Sequence, residues 1–297
     1  MLNDVIVTIG ICVKNTEKTI KESINGILDQ DFPHQSMELI IVDGYSIDNT
    51  LKIIKQQLSN RDIKTSFFKE NTGLGMARQI VVENAVGKYI IWVDGDIILS
   101  SDYVRKQVDF MEKNPAIGIT EGTYGICLGT SLVSALENIV YVLTTRSSHV
   151  SRIGSLAATE GAIWRVKAIR DVGGFDSGIK GAAEDTELSY RIKMAGWLFA
   201  VTEEVFQEVC RDTWKSLWDQ YFWYGNGAYY MHHKNPRTMN LYVMVPPAGF
   251  LAGLMYMVNA YKLTRMKSVL LLPIHYCFKR IAWLFGFIRA QIRGYKH

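Results

Sequence analysis

The sequence predicts an α/β fold with a mainly parallel, Rossmann-like sheet covered by helices. Strand-like β-branched runs alternate with helical patterns, and three of the runs end in polar tips. The 297 residues are 48% hydrophobic and 21% charged, which excludes a disordered, collagen-like or low-complexity chain and leaves enough apolar material for a sizeable core. In such a sheet the ligand crevice lies at the carboxyl ends of the strands, so the polar tips are where chemistry is expected.

Residues 4–13, with Val5-Ile6-Val7-Thr8-Ile9, read as a buried strand, and residues 18–29 place Ile20, Ile24, Ile27 and Leu28 at helical spacing. The run 38–42 is a second strand ending at Asp43-Gly44. Residues 48–58 resume a helix with Asp48 or Asn49 as N-cap. A short strand at 65–68, a helix at 76–85 and a strand at 89–93 follow, the last ending in Asp94-Gly95-Asp96. Residues 115–180 are more mixed, with a strand at 117–123, a helix at 132–143 and a turn at Gly173-Gly174-Phe175-Asp176. A helix over 184–196 stops at Gly196.

The charge is unevenly divided. Residues 1–219 carry 23 basic and 29 acidic side chains, whereas residues 220–297 carry 10 basic and no acidic ones. The chain is therefore expected to divide into a catalytic body, 1–219, and a membrane-associated helical segment, 220–297. Basic residues set between long apolar runs suit an anionic membrane surface and not nucleic acid. Residues 238–261 form a 24-residue run without a formal charge, long enough to cross a bilayer. A second apolar stretch, 268–288, is interrupted by Lys279-Arg280, and Pro246-Pro247 and Pro273 are expected to break each helix early. A spanning hairpin would put Lys262, Arg265 and Lys267 on the far side and Lys279 and Arg280 mid-span. The expectation is thus re-entrant or interfacial helices on the cytoplasmic leaflet, with paired spans or a soluble buried helical pair as the alternatives. Cys12, Cys127, Cys210 and Cys277 are scattered without a C-x-x-C, and no signal segment opens the chain, so a reducing cytosolic face is expected. His149, His232, His233 and His275 lack ligand spacing and are read as non-metal residues.

Asp94-Gly95-Asp96 sets two carboxylates at the end of a buried strand, where both can face a hard cation whose oxygen shell is completed by substrate phosphates. Such a tripeptide in isolation is more often a solvated turn. Its context here includes Asp43 ending another strand and Asn71-Thr72-Gly73-Leu74-Gly75-Met76-Ala77-Arg78 following a third. An acid accepts from a nucleobase N–H, and a guanidinium fork holds a base or a diphosphate. On local sequence Glu184-Asp185 suits a helix N-terminal acid pair favoured by the macrodipole. Glu187 and Arg191, at i and i+4, read as an ion pair.

Taken together these residues resemble glycosyltransferase family 2, the inverting nucleotide-sugar enzymes of the GT-A fold. Residues 7–15 are similar to the family's opening strand and asparagine, Ile41 to Asp48 to its V-D-D-G-S-x-D, Asn71 to Arg78 to its N-x-G-x-x-x-A-R, and Asp94-Gly95-Asp96 to its D-x-D. Gly161-Ala162-Ile163-Trp164-Arg165, the Gly173–Asp176 turn and Glu184 to Arg191 then resemble the G-G-F-D and E-D-x-D-L-x-x-R stretches, so the likeness covers residues 4–200. The resemblance implies that Asp43 binds the nucleobase, Arg78 and Asp94 the nucleotide, that Asp96 ligates Mg²⁺ or Mn²⁺, and that Asp185 is the catalytic base. It also implies a UDP- or GDP-linked sugar donor and, with the apolar tail, a lipid-phosphate or lipid-linked saccharide acceptor at the membrane, the catalytic domain being cytoplasmic.

Two departures stand out. Gly44 replaces the second acid of V-D-D-G-S, and Gln220-Tyr221-Phe222-Trp223-Tyr224 keeps the glutamine of the processive members' Q-x-x-R-W without its arginine, which favours single addition. That aromatic cluster suits either an interfacial helix or core packing. A nucleotidyltransferase of similar sheet and a non-catalytic nucleotide-sugar-binding membrane subunit are the alternative functions.

Overall fold

The structure, a computed structural model, describes residues 5–127, 131–146, 156–179, 181–238 and 241–294. In chain order the elements are β1 (Val7–Val13), α1 (Ile20–Leu28), β2 (Met37–Asp43), α2 (Thr50–Leu58), β3 (Lys64–Lys69), α3 (Leu74–Asn84), β4 (Tyr89–Trp92), β5 (Ile97–Leu99), α4 (Tyr103–Lys113) and β6 (Ile117–Tyr124). They continue with α5 (Leu132–Arg146), β7 (Ile163–Arg165), α6 (Val166–Asp171), α7 (Glu184–Met194), β8 (Leu198–Glu208), α8 (Trp214–Lys234), α9 (Pro246–Thr264) and α10 (Leu272–Arg293). Two compact units form: Met1–Gly125 with Ser148–Ser177 and Asp185–Glu208, and Ile126–Ser147 with Gly178–Glu184 and Val209–His297.

The first unit is a sheet of order β3-β2-β1-β4-β7-β6-β8-β5. The pairs β1–β2, β1–β4, β2–β3 and β6–β8 are parallel, while β4–β7, β6–β7 and β5–β8 are antiparallel. Side chains alternate across the central strands, as the pleat requires. Leu39, Ile41, Tyr89 and Ile91 join one apolar layer with α1 and α4, and Ile40, Val42, Ile90 and Trp92 join the other with α3 and α7. Both faces are buried, which is why these strands are continuously apolar. Gly10 has a packing reason: a Cβ there would press on the Trp92 ring and on Val81.

Asn49 occupies the cap position of α2 without a side-chain cap bond; Asp48 Oδ1 accepts from Thr50 N at 3.0 Å instead. Five elements, β5, α4, β7, α6 and β8, lie beyond the sequence reading. β8 is partly exposed and carries Thr202-Glu203-Glu204 in mid-strand, so its backbone pairing with β5 and β6, and not its hydrophobicity, makes it a strand.

The prolines of the tail act opposite to expectation. Pro246-Pro247 and Pro273 lie at the first positions of α9 and α10, where a missing N–H costs nothing and the fixed φ favours a helix. The uncharged run 238–261 is not one helix, since Leu241–Met244 is a separate 3₁₀ turn before α9. Among the described residues the stretch long and apolar enough to cross a membrane is Lys267–Arg293, and half of its most apolar window is buried inside the protein.

Within the second unit α8 and α10 approach to backbone contact. A Cβ on Gly225 would collide with the Trp283 carbonyl, and one on Gly286 with that of Phe222. Lys279, which with Arg280 interrupts the second apolar stretch, is buried against Glu137 of α5, with Nζ to Oε2 at 2.7 Å. Tyr221 donates to the other Glu137 oxygen at 2.6 Å, and the Lys279 ammonium lies 4.8 Å from the Tyr221 ring centroid. Tyr221 of the aromatic cluster is thus half-buried and tied to Glu137, while Trp223 is 37% exposed.

Removing one partner of a buried pair strands the other charge. Lys279→Met should therefore lower unfolding free energy by about 3–5 kcal/mol, and adding Glu137→Gln should recover most of it. Denaturant melts of both variants check this.

Candidate functional site

The parallel strands β1, β2 and β4 deliver their carboxyl ends to one edge of the first unit. Asp43, the last residue of β2, is buried, and Ser46 N donates to its two oxygens at 3.1 and 3.3 Å. Asn15, just beyond β1, pins the same loop: its N–H donates to Ser46 Oγ at 3.0 Å, and its Oδ1 accepts from Ile47 N at 2.9 Å. Beyond β4, Asp94 to Asp96 turn the chain into β5, with Ile97 N donating to the Asp94 carbonyl at 3.1 Å. A Cβ on Gly95 would strike the Thr16 side chain, so the turn passes against the segment after β1 only because residue 95 is glycine.

Arg78 projects from α3 into this edge and is buried. Its Nη2 lies 3.3 Å from Asp94 Oδ2, its Nη1 3.9 Å from Asp185 Oδ2, and its guanidinium 5.8 Å from the Trp92 ring centroid. Asp185 sits in the first turn of α7. Its Oδ2 accepts from Thr159 Oγ1 at 3.3 Å and its Oδ1 from Thr186 N at 2.6 Å, which fixes the carboxylate rotamer. Arg78, Asp94 and Asp185 are therefore one cluster. Asp43 ends β2, which is separated from β4 by β1, and Asp96, half-buried, shares the turn with Asp94.

The Glu187–Arg191 pair forms, at 2.7 Å. Arg191 also donates to the carbonyls of Val172 and Gly174 at 2.5 and 2.6 Å, holding the Gly173-Gly174-Phe175 turn against α7. Phe175 then meets Trp92 edge-on at 5.5 Å.

Thr159 and Glu160 were not among the residues singled out from sequence. Burial first, then the negative charges of Asp185 and Asp94, push the Glu160 carboxyl up to about 8, against the pull of Arg78. The available signal was its position immediately before Gly161-Ala162-Ile163-Trp164. His149 lies outside the described residues.

No group of three or more His, Cys, Asp or Glu side chains among the described residues could by itself cage a metal. The charge pattern nevertheless fits a hard divalent cation, because the two carboxylates of Asp94 and Asp185 face a single guanidinium, and their negative field helps keep Glu160 protonated. An ion held by one or two carboxylates takes its remaining oxygens from substrate phosphates and water.

The profile of Glycosyl transferase family 2 matches residues 8–167, and that of Glycosyl transferase family group 2 matches residues 89–290. The chain belongs to glycosyltransferase family 2. It is 24% identical over 184 residues to the poly-beta-1,6-N-acetyl-D-glucosamine synthase of Staphylococcus epidermidis, covering 61% of this chain and 44% of that one. The chain spans about half or less of the length of the curated relatives it matches. Among solved structures it is similar to a mannosyltransferase of Pyrobaculum calidifontis in complex with GDP-Man and Mn²⁺, with TM-score 0.67, 16% identity, and coverage of 95% of this chain and 86% of the other. It is also similar to Staphylococcus aureus TarS in complex with UDP-GlcNAc, with TM-score 0.52, 15% identity, and coverage of 98% and 93%. The fold is GT-A.

A carboxyl that keeps its proton to higher pH in the folded than in the unfolded chain withdraws stability as pH rises between the two values. For the metal-free protein, Glu160→Gln should match wild type in melting temperature at pH 5 and exceed it at pH 8 to 9. Thermal melts in chelator at the two pH values check the sign.

Proposed function

We infer that this chain transfers a glycosyl group, with inversion, from a nucleotide sugar to a lipid-phosphate or lipid-linked saccharide at the cytoplasmic membrane face. The observation that carries the reading is the convergence of Arg78, Asp94 and Asp185 at one sheet edge of a family 2 chain. In this reading Asp43 accepts from the nucleobase, and Arg78 with Asp94 positions the diphosphate. Asp96 ligates Mg²⁺ or Mn²⁺, which when bound supplies positive charge for the departing diphosphate. The neighbour in complex with GDP-Man and Mn²⁺ supports such a donor and such an ion.

Asp185 is the group that takes the acceptor proton. As the acceptor oxygen forms its bond to the anomeric carbon, the bond to the diphosphate oxygen breaks, the O–H proton passes to Asp185, and the electron pair leaves with the nucleoside diphosphate. Two anchors, Thr159 and Thr186, hold that carboxylate in one orientation. Family membership weighs for glycosyl transfer over nucleotidyl transfer, and the missing arginine after Gln220 supports single addition.

Membrane association rests on the second unit. The outward face of α9 exposes Phe250, Leu251, Leu254, Met255 and Val258 in succession, and Lys262, Arg265 and Lys267 follow at its end. An apolar face with cations beside it and no acid anywhere after Asp219 is complementary to an anionic lipid surface. The Lys279–Glu137 pair neutralises one of the two charges that a span over 268–288 would carry in its middle.

Nucleoside diphosphate release, with Mn²⁺ and a panel of UDP- and GDP-sugars, tests the reaction. Asp185→Asn should keep donor affinity and lose about 10²–10⁴-fold in turnover onto a saccharide hydroxyl, but far less onto an already ionised lipid phosphate. Asp96→Ala should abolish metal-dependent donor binding in calorimetry. In a flotation assay the wild type should rise with vesicles containing anionic phospholipid and less with zwitterionic ones, and the triple variant Leu254→Ser, Met255→Ser, Val258→Ser should stay behind.

A further inference from the structure

Tyr45 lies two residues beyond β2, next to Asp43, and its backbone has φ 59°. That is the left-handed region, where a bulky aromatic residue is an outlier and glycine is at ease. The strain is held in place from several sides. Ser46 N is committed to the Asp43 carboxylate, Ser46 Oγ to Asn15 N, and Ile47 N to Asn15 Oδ1. Asn15 itself has φ 54°, so both halves of this interlock sit in the same sparsely populated conformation. Gly44 passes so near Lys14 that a Cβ there would lie 3.1 Å from the lysine Cβ, which leaves the loop no room to relax toward β1.

The ring displayed by this loop is not buried for packing. Tyr45 is 52% exposed, and its aromatic contact is to Lys69, whose Nζ lies 5.3 Å from the ring centroid. Lys69 ends β3 and is the register partner of Asp43. Three adjacent positions at the strand ends thus offer a buried carboxylate, an ammonium and a half-open aromatic ring. Strain that persists around an exposed ring marks a site where the ring's position matters more than local stability.

We propose that Tyr45 is the stacking platform for the planar base of a nucleoside diphosphate, held in register with Asp43 by the strained loop and steadied by Lys69. This rests on the reading of Asp43 as the nucleobase contact and adds a residue to it. Stacking supplies base affinity that is tolerant of base identity, while the Asp43 carboxylate, able only to accept, selects an edge presenting an N–H. The platform acts on the base and not on the diphosphate, which separates it from Arg78.

The test uses the full chain with Mn²⁺ and four probes in calorimetry: UDP, GDP, inorganic pyrophosphate, and pyrophosphate with free uridine. Tyr45→Gly should raise the Kd of the better nucleoside diphosphate roughly tenfold while leaving pyrophosphate unchanged. Tyr45→Phe should restore wild-type affinity. Because glycine relieves the left-handed strain, Tyr45→Gly should melt at or above the wild-type temperature, so that stability and affinity move in different directions. Unchanged nucleoside diphosphate affinity in Tyr45→Gly, or equal weakening of pyrophosphate, would overturn the platform and leave the donor reading standing. A wild-type chain that binds pyrophosphate but neither UDP nor GDP would overturn both.

Discussion

A buried guanidinium must find negative charge or destabilise the fold, and Arg78 finds it in two carboxylates from separate elements of the first unit. Asp94 arrives on the turn after β4 and Asp185 on the first turn of α7, and each is oriented by the same cation. The arrangement is not neutral, since two carboxylates face one guanidinium, and burial with that negative field keeps Glu160 protonated up to about 8. This edge therefore carries surplus negative charge that a proton, or a cation bound with an anionic donor, can balance. In the proposed reading, binding of the ion and the donor at this edge is coupled to that of a proton through electrostatics.

The sheet makes that convergence possible. Parallel pairing of β2, β1 and β4 sends three carboxyl ends to one side, and close packing keeps them there. Gly10 admits Trp92 and Gly95 admits Thr16. Trp92 lies beneath Arg78 and against Phe175, whose turn Arg191 clamps through two carbonyls. A chain of contacts thus runs from the core of the sheet to the turn before α7.

The helical unit solves a different problem. With no acid after Asp219, the buried Lys279 ammonium is matched by Glu137, 142 residues earlier, and by the faces of Tyr221 and Tyr276. Glycine contacts draw α8, α9 and α10 close enough to bury their inner faces, which leaves the apolar residues of α9 on the outside. Hydropathy counted the run 238–261 as the longer apolar segment, but proline placement and the 3₁₀ turn shortened it. The capacity to span by length belongs to Lys267–Arg293.

Periodicity and motif spacing determined the alternation of strands and helices, the family, and the positions of Asp43, Arg78, Asp94, Asp96 and Asp185, because these depend on local propensity and on strand ends. Tertiary structure alone decided that Arg78 bridges Asp94 and Asp185, that Thr159 and Glu160 join them, and that Lys279 is paired. It also decided that β8 is a strand despite its polar middle and that Tyr45 takes a conformation suited to glycine. Each of these is set by partners distant in the chain. Their energies come from burial and charge at long sequence separation, and a local pattern carries no record of which remote residue will supply the counter-charge.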